Sequence, residues 1–263
     1  FAGRADLAVA PLQRAIAGYE GLEQGETVQT NLAAALGNLA NAQMALGELG
    51  AALQTAQRAL AISEMLGGRR NIATGHGRVA QILMDRGRYG EAEGEYQLAL
   101  QAAREAGDRD LEAAFLQHMG TLKRHMGEPG AAIGDYKQAL ALFQAAGDEG
   151  SEMRTCDLLG TAELRRSQLD AAEAWYTRAR ELALKLKDLR QLATTSQNLG
   201  ILHQEQAMEA AEPQRSGLLR RAVELVGEAL TLFKELQDPV YQAASHSQLG
   251  ILYRLLGELD PAE

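Results

Sequence analysis

Gly75-His76-Gly77-Arg78-Val79-Ala80 reads G-x-G-x-x-A, a spacing that can bring a backbone up against the pyrophosphate of a dinucleotide. That chemistry needs a strand before the glycines and a helix after them. Here the run falls inside a stretch of helical periodicity with no strand pattern nearby, so no nucleotide site is expected. The five histidines, His76, His118, His125, His203 and His246, are the next candidates. His118 and His125 stand seven apart and share one helix face. No carboxylate or thiol at ligand spacing completes a metal set, and H-E-x-x-H is absent. The histidines are therefore expected to be groove or interface residues. Cys156, the single cysteine, occupies a large apolar position and is expected to be buried filler, not a nucleophile. No local Ser/His/Asp or Cys/His motif supports catalysis. The sequence predicts no catalytic residue, no metal and no cofactor.

The bulk properties point the same way. The 263 residues carry a net charge of −9, against general binding to nucleic acid or an anionic membrane. Arg69-Arg70, Arg165-Arg166 and Arg220-Arg221 are basic doublets in acidic surroundings and read as solvated helix ends. One cysteine rules out a disulfide framework, and a reducing, cytoplasmic setting is the expectation. No apolar run is long enough for a membrane span.

What must position any site is a repeat. Written in rows of forty, the chain stays in register from residue 31 to 190. Each row pairs a small residue with an alanine twelve positions on: Ala40 and Ala52, Ala80 and Ala92, Gly120 and Ala132, Gly160 and Ala172. Between them sits a turn residue: Gly47, Gly87, Gly127 or Ser167. A second alanine follows seven residues later, at Ala59, Ala99, Ala139 and Ala179, with Tyr96, Tyr136 and Tyr176 between the two alanines and Ala56 in the tyrosine's place in the first row. Small residues suit close helix crossings, and the tyrosine fills the wedge beside them. Gly107-Asp108 and Gly147-Asp148 put a helix-ending glycine next to an N-capping aspartate, and Asp188 and Asp238 hold the same place.

The rows divide one domain into 1–30 (a leading second helix and linker), the regular rows 31–70, 71–110, 111–150 and 151–190, a row with ten extra residues at 191–240, and a trailing first helix at 241–263. Gly3 is expected at a turn, and the last row runs through Gly257 to Ala262. In the long row, Glu209 to Glu212 should extend the first helix, Pro213 to Gly217 should turn, and Leu218 should begin the return helix. Trp175 lies off the core positions of its helix and is expected to be half-buried. With neither end capped, the chain is expected to continue in a parent protein or to associate end to end.

Leu159-Gly160, Leu199-Gly200, Leu249-Gly250 with Tyr253, and the Ala-Tyr-Ala triplets at 92/96/99, 132/136/139 and 172/176/179 resemble the tetratricopeptide repeat. The first tryptophan of that pattern is replaced by His76, Cys156 and His246, and the period is forty instead of thirty-four. The long period is similar to kinesin light chains, Pins-type scaffolds and the sensor arrays of STAND signalling ATPases. The resemblance implies an all-α, right-handed solenoid of helix-turn-helix repeats whose first helices line a concave face.

On that implied geometry several ladders face the groove. Asn38, Arg78, His118, Leu158, Asn198 and Gln248 form one; Asn41, Gln81, Thr121, Thr161, Ile201 and Ile251 a second; Gly37, Gly77, Gln117, Asp157, Gln197 and Ser247 a third. Arg124 and Arg154 add charge. His125 and Arg165 share a ladder with Asp85 and Glu205 that would face the partner or pair laterally. Amides can donate to and accept from a peptide backbone, and arginines can pair with acidic side chains. Gly37 and Gly77 would admit a partner backbone closely. The lysine that chaperone-binding members use to clamp a carboxylate is missing, since Gly37, Gly77 and Gln117 stand there. The expected function is to hold a protein or peptide segment in the groove. The alternative is the ligand-sensing array of a larger signalling ATPase or transcription regulator.

Overall fold

Short turns at forty-residue spacing set the architecture. The structure, a computed structural model, describes residues 2–23 and 25–257. These form α1 (Ala2–Glu20), α2 (Glu26–Ala45), α3 (Leu49–Leu66), α4 (Arg69–Asp85), α5 (Tyr89–Glu105), α6 (Arg109–His125), α7 (Pro129–Ala146), α8 (Glu149–Leu164), α9 (Leu169–Leu186), α10 (Leu189–Glu209), α11 (Gln214–Glu235) and α12 (Pro239–Leu256). Even-numbered helices are the first helices of their rows and odd-numbered ones the second. No strand occurs among the described residues, and no helix there is long and apolar enough to cross a membrane.

Turn chemistry follows the sequence closely. Gly47 takes φ 76°, and Glu48 N–H reaches back to the Gln43 carbonyl at 2.9 Å, satisfying a carbonyl at the helix end. Ser167, Lys187 and Gln237 adopt the same left-handed conformation without glycine. Asp108, Asp148, Asp188 and Asp238 each accept a hydrogen bond from a backbone N–H three residues on, at 3.1, 2.9, 2.9 and 3.4 Å.

Two compact units divide between Met126 and Gly127. Within the first, each helix from α1 to α6 packs on the next; within the second, so does each from α7 to α12. The alanines of the repeat lie at these contacts: Ala40, Ala52, Ala80 and Ala92 in the first unit, Ala132 and Ala172 in the second, all fully buried. Tyr96, Tyr136 and Tyr176 are no more than 1% exposed. Trp175 is half-buried against the cluster containing Tyr136, Leu140 and Cys156.

Two expectations are corrected. Gly3 lies within α1, which is already helical at Ala2; Ala262 falls outside the described residues. In the long row the turn comes earlier than expected, at residues 210–213, and α11 begins at Gln214. Pro213 sits at the N-cap of α11, where a missing N–H costs nothing, and Gly217 faces solvent inside the helix. Leu219 is 1% exposed, and the helix that buries it starts ahead of Gly217, directly after Pro213.

Candidate functional site

All fourteen residues expected in the groove keep some solvent exposure; thirteen lie on first helices, and Arg165 is the C-cap of α8. In the first unit the centre is Arg78 on α4. Its Nε donates to Asn41 Oδ1 on α2 at 3.0 Å. The guanidinium lies over Gly37, where a Cβ would stand 2.9 Å from Nη1 and 3.0 Å from Cζ. No carboxylate pairs with Arg78 among the described residues, and burial pulls its pKa below the usual guanidinium value.

Beside it, Gln81 Nε2 donates to Asp85 at 2.9 Å, and Gln81 Oε1 accepts from the Tyr96 hydroxyl at 3.1 Å. Burial, with Asp85 nearby, pushes the Tyr96 pKa up. His118 on α6 stacks on Tyr96 with ring centroids 5.8 Å apart and planes 7° from parallel. Burial lowers the His118 pKa, which favours the neutral ring. Arg124 Nε is buried without a hydrogen-bond partner. His125 stacks on Tyr89 at 6.3 Å. Asn38 is exposed.

The glycines do not behave as expected. The space over Gly37 belongs to Arg78, and a Cβ on Gly77 would collide with the Phe115 ring. Both close approaches are made by the protein's own side chains, which leaves no opening there for a partner backbone.

In the second unit the same columns are knitted to each other. Asp157 on α8 accepts from Thr195 Oγ1 at 3.0 Å and from Asn198 Nδ2 at 3.1 Å, both on α10. Burial raises the Asp157 pKa, and these two hydrogen bonds oppose the shift. Gln197 Oε1 accepts from Ser245 at 3.4 Å, and Gln248 Nε2 donates to Gln204 Oε1 at 2.6 Å. Thr161 takes the Tyr176 hydroxyl at 3.1 Å while donating to its own helix; Thr121 donates to the Gln117 carbonyl in the same way. Arg154 is exposed and bonded to Ser151, and Arg165 is exposed.

Elsewhere the structure brings together groups that spacing along the chain keeps apart. His76 Nδ1 lies 2.7 Å from Glu95 on α5, and its Nε2 lies 3.7 Å from Glu64 on α3. Cys156 is fully buried, and burial pushes its thiol up to about 12, far from a nucleophile's range. Thr195 was missed as a polar partner of the groove residues, although the row register places it one column from Arg154, whereas Gln204 stands in the column of Arg124.

The tetratricopeptide repeat model matches residues 71–145, and the helix pairs on either side repeat the matched register. Residues 71–145 are tetratricopeptide repeats, and the fold of the chain is that of a tetratricopeptide-repeat array. Its fold is similar to BtubC (BKLC) from P. vanneervenii, at 19% identity and TM-score 0.75, covering 89% of this chain and 92% of that one. The STAND protein with a tetratricopeptide repeat sensor from Pyrococcus horikoshii is similar at 17% identity and TM-score 0.75, over 97% of the array and 39% of that chain. A Rap protein complexed with Competence and Sporulation Factor is similar at 18% identity and TM-score 0.65, over 97% and 72%. No curated protein sequence matches the array significantly.

Proposed function

We propose that the array is a protein-interaction module that holds an extended segment bearing acidic side chains against its first helices, α2, α4 and α6. The observation that carries this reading is Arg78. It is a half-buried cation, anchored at Nε by Asn41, with no carboxylate partner among the described residues. A guanidinium fixed at one nitrogen can present its remaining N–H groups to a carboxylate with little further loss of freedom. Asn38 and Asn41 on α2, one and four residues beyond Gly37, can meet a peptide backbone as donor or acceptor. The Rap protein of similar fold was solved with a factor bound, which is in keeping with a binding role.

Fluorescence anisotropy with a panel of labelled, end-blocked peptides tests this. Peptides carrying Asp or Glu should bind, and their Asn or Gln counterparts should not. Arg78→Ala should weaken binding about tenfold or more, since one charge-assisted hydrogen bond is worth about 1.5–3 kcal/mol. A panel without a binder, or equal affinity for the variant, would overturn the reading.

A second reading is the ligand-sensing array of a larger signalling ATPase or transcription regulator. It is supported by the fold likeness to the STAND sensor protein over 97% of this chain. A P-loop or a DNA-binding segment in the parent gene would decide for it.

A further inference from the structure

The extra residues of the fifth row help to line a cleft. In the second unit the lengthened ends of α10 and α11 stand beside the turn between α8 and α9, and a cavity of about 630 Å³ opens among them. This is within the usual size of a small-ligand site. Asp170 and Glu173 on α9, His203, Gln206 and Glu209 on α10, and Leu218 on α11 line it, and no lysine or arginine does.

Hydrogen bonding fixes which atoms are available there. Gln206 Nε2 donates to Glu173 Oε2 at 2.8 Å, because a carboxylate accepts. Gln206 Oε1 therefore faces His203 Nδ1, at 2.7 Å. An amide oxygen only accepts, so Nδ1 carries the proton. In the neutral ring Nε2 is then left with its lone pair, and it has no partner among the described residues. His203 lines this cleft and is only 9% exposed, so its ring is largely buried there. The carboxylates of Asp170 and Glu209 likewise have no partner among the described residues. With the His203 ring neutral, every ionisable group lining the cleft presents an acceptor or a negative charge.

We propose that this cleft binds an organic cation rich in N–H donors, a primary ammonium or a guanidinium group. The cation is either a free polyamine or a lysine or arginine side chain of a basic segment. His203 Nε2 accepts one N–H, and Asp170, Glu173 and Glu209 balance the charge. Among the described residues no three histidine, cysteine or carboxylate side chains are gathered closely enough to coordinate a metal ion.

Isothermal titration of the full chain with spermidine, and separately with a blocked Gly-Lys-Gly-Arg-Gly peptide, tests the proposal. The net charge of −9 attracts any cation, so Asp170→Asn/Glu209→Gln is compared with Glu23→Gln/Glu235→Gln, which removes the same charge elsewhere. At least one probe should bind saturably and shift the His203 side-chain nitrogen signals. The cleft variant should bind at least tenfold more weakly, with an unchanged melt, and the control variant less than threefold more weakly. Binding of spermidine alone assigns a free polyamine, and binding of the peptide alone assigns a basic segment. No saturable binding of either probe would overturn the proposal, as would equal affinity of the cleft variant or an equal loss in the control.

Discussion

The Arg78 guanidinium rests on Gly37: a Cβ at position 37 would stand 2.9 Å from Nη1, 3.0 Å from Cζ and 3.1 Å from Nη2. A glycine inside α2 costs helix stability of about 1 kcal/mol relative to alanine. Here the missing side chain makes room for a cation. Gly37→Ala separates the two roles. The atoms displaced are the far end of a flexible side chain, so denaturant melts should show no loss of stability and a gain of up to about 1 kcal/mol. Affinity for acidic peptides should fall about tenfold as Arg78 leaves Asn41, the loss expected for one charge-assisted hydrogen bond. A destabilised Gly37→Ala would mean that the guanidinium is held too firmly to move.

Gly160 gives the opposite result from the same substitution. Its missing Cβ would stand 2.6 Å from Cδ1 of Tyr176, a ring only 1% exposed whose hydroxyl is tied to Thr161. A buried ring cannot swing away, so Gly160→Ala should overpack the crossing of α8 and α9 and cost about 1–3 kcal/mol. Paired melts of the two alanine variants make the comparison directly. Equal effects would mean that the small residues of the repeat are interchangeable.

These two glycines also show how far the sequence could be read. Its forty-residue period fixed the small residues, the tyrosines, the turns and the capping aspartates, because each repeats one local geometry. A glycine shows that something approaches closely, but not what approaches. At Gly160 the occupant was legible because Tyr176 recurs in the rows; at Gly37 and Gly77 it was not, because Arg78 and Phe115 have no counterparts in the other rows. Asp157 reads as a groove carboxylate from its column alone. Its saturation by Thr195 and Asn198 depends on side-chain rotamers across neighbouring first helices, which periodicity does not encode. Pro213 and Gly217 read as a turn because both weaken helix interiors, yet one sits at a helix start and the other on a solvated face.

His118 should make stability depend on pH. Its ring stacks on Tyr96, and burial holds its folded-state pKa below the unfolded value of 6.5. The folded state thus binds fewer protons than the unfolded state in the window between the two values. Stability therefore rises with pH across that window. No penalty exists above 6.5, and the cost grows as pH falls from there to the folded pKa and levels off below it. His118→Phe keeps a ring against Tyr96 and removes the titration. Melting temperatures from pH 8 to 5 should show wild type losing stability relative to the variant below about pH 6.5. Parallel curves would mean that His118 protonates as freely in the folded protein as in the unfolded one.

The lengthened hairpin should prove to be core and not appendage. Leu219, in the second turn of α11, is 1% exposed and clusters with Ala207 on α10 and Leu252 on α12. It therefore joins the extra residues to the helix that follows. Leu219→Ala should cost about 2–5 kcal/mol, the range for deleting a buried leucine side chain where neighbours cannot collapse fully. Met208, eleven residues earlier and 59% exposed, is the control. Met208→Ala should stay within about 0.5 kcal/mol, as exposed substitutions do. Hydrogen exchange adds where the loss is felt. Amides of α12 should lose protection together with those of α11 in Leu219→Ala, because one cluster spans both helices. A small cost, with faster exchange confined to residues 208–217, would instead make the hairpin a local extension that folds independently of α12.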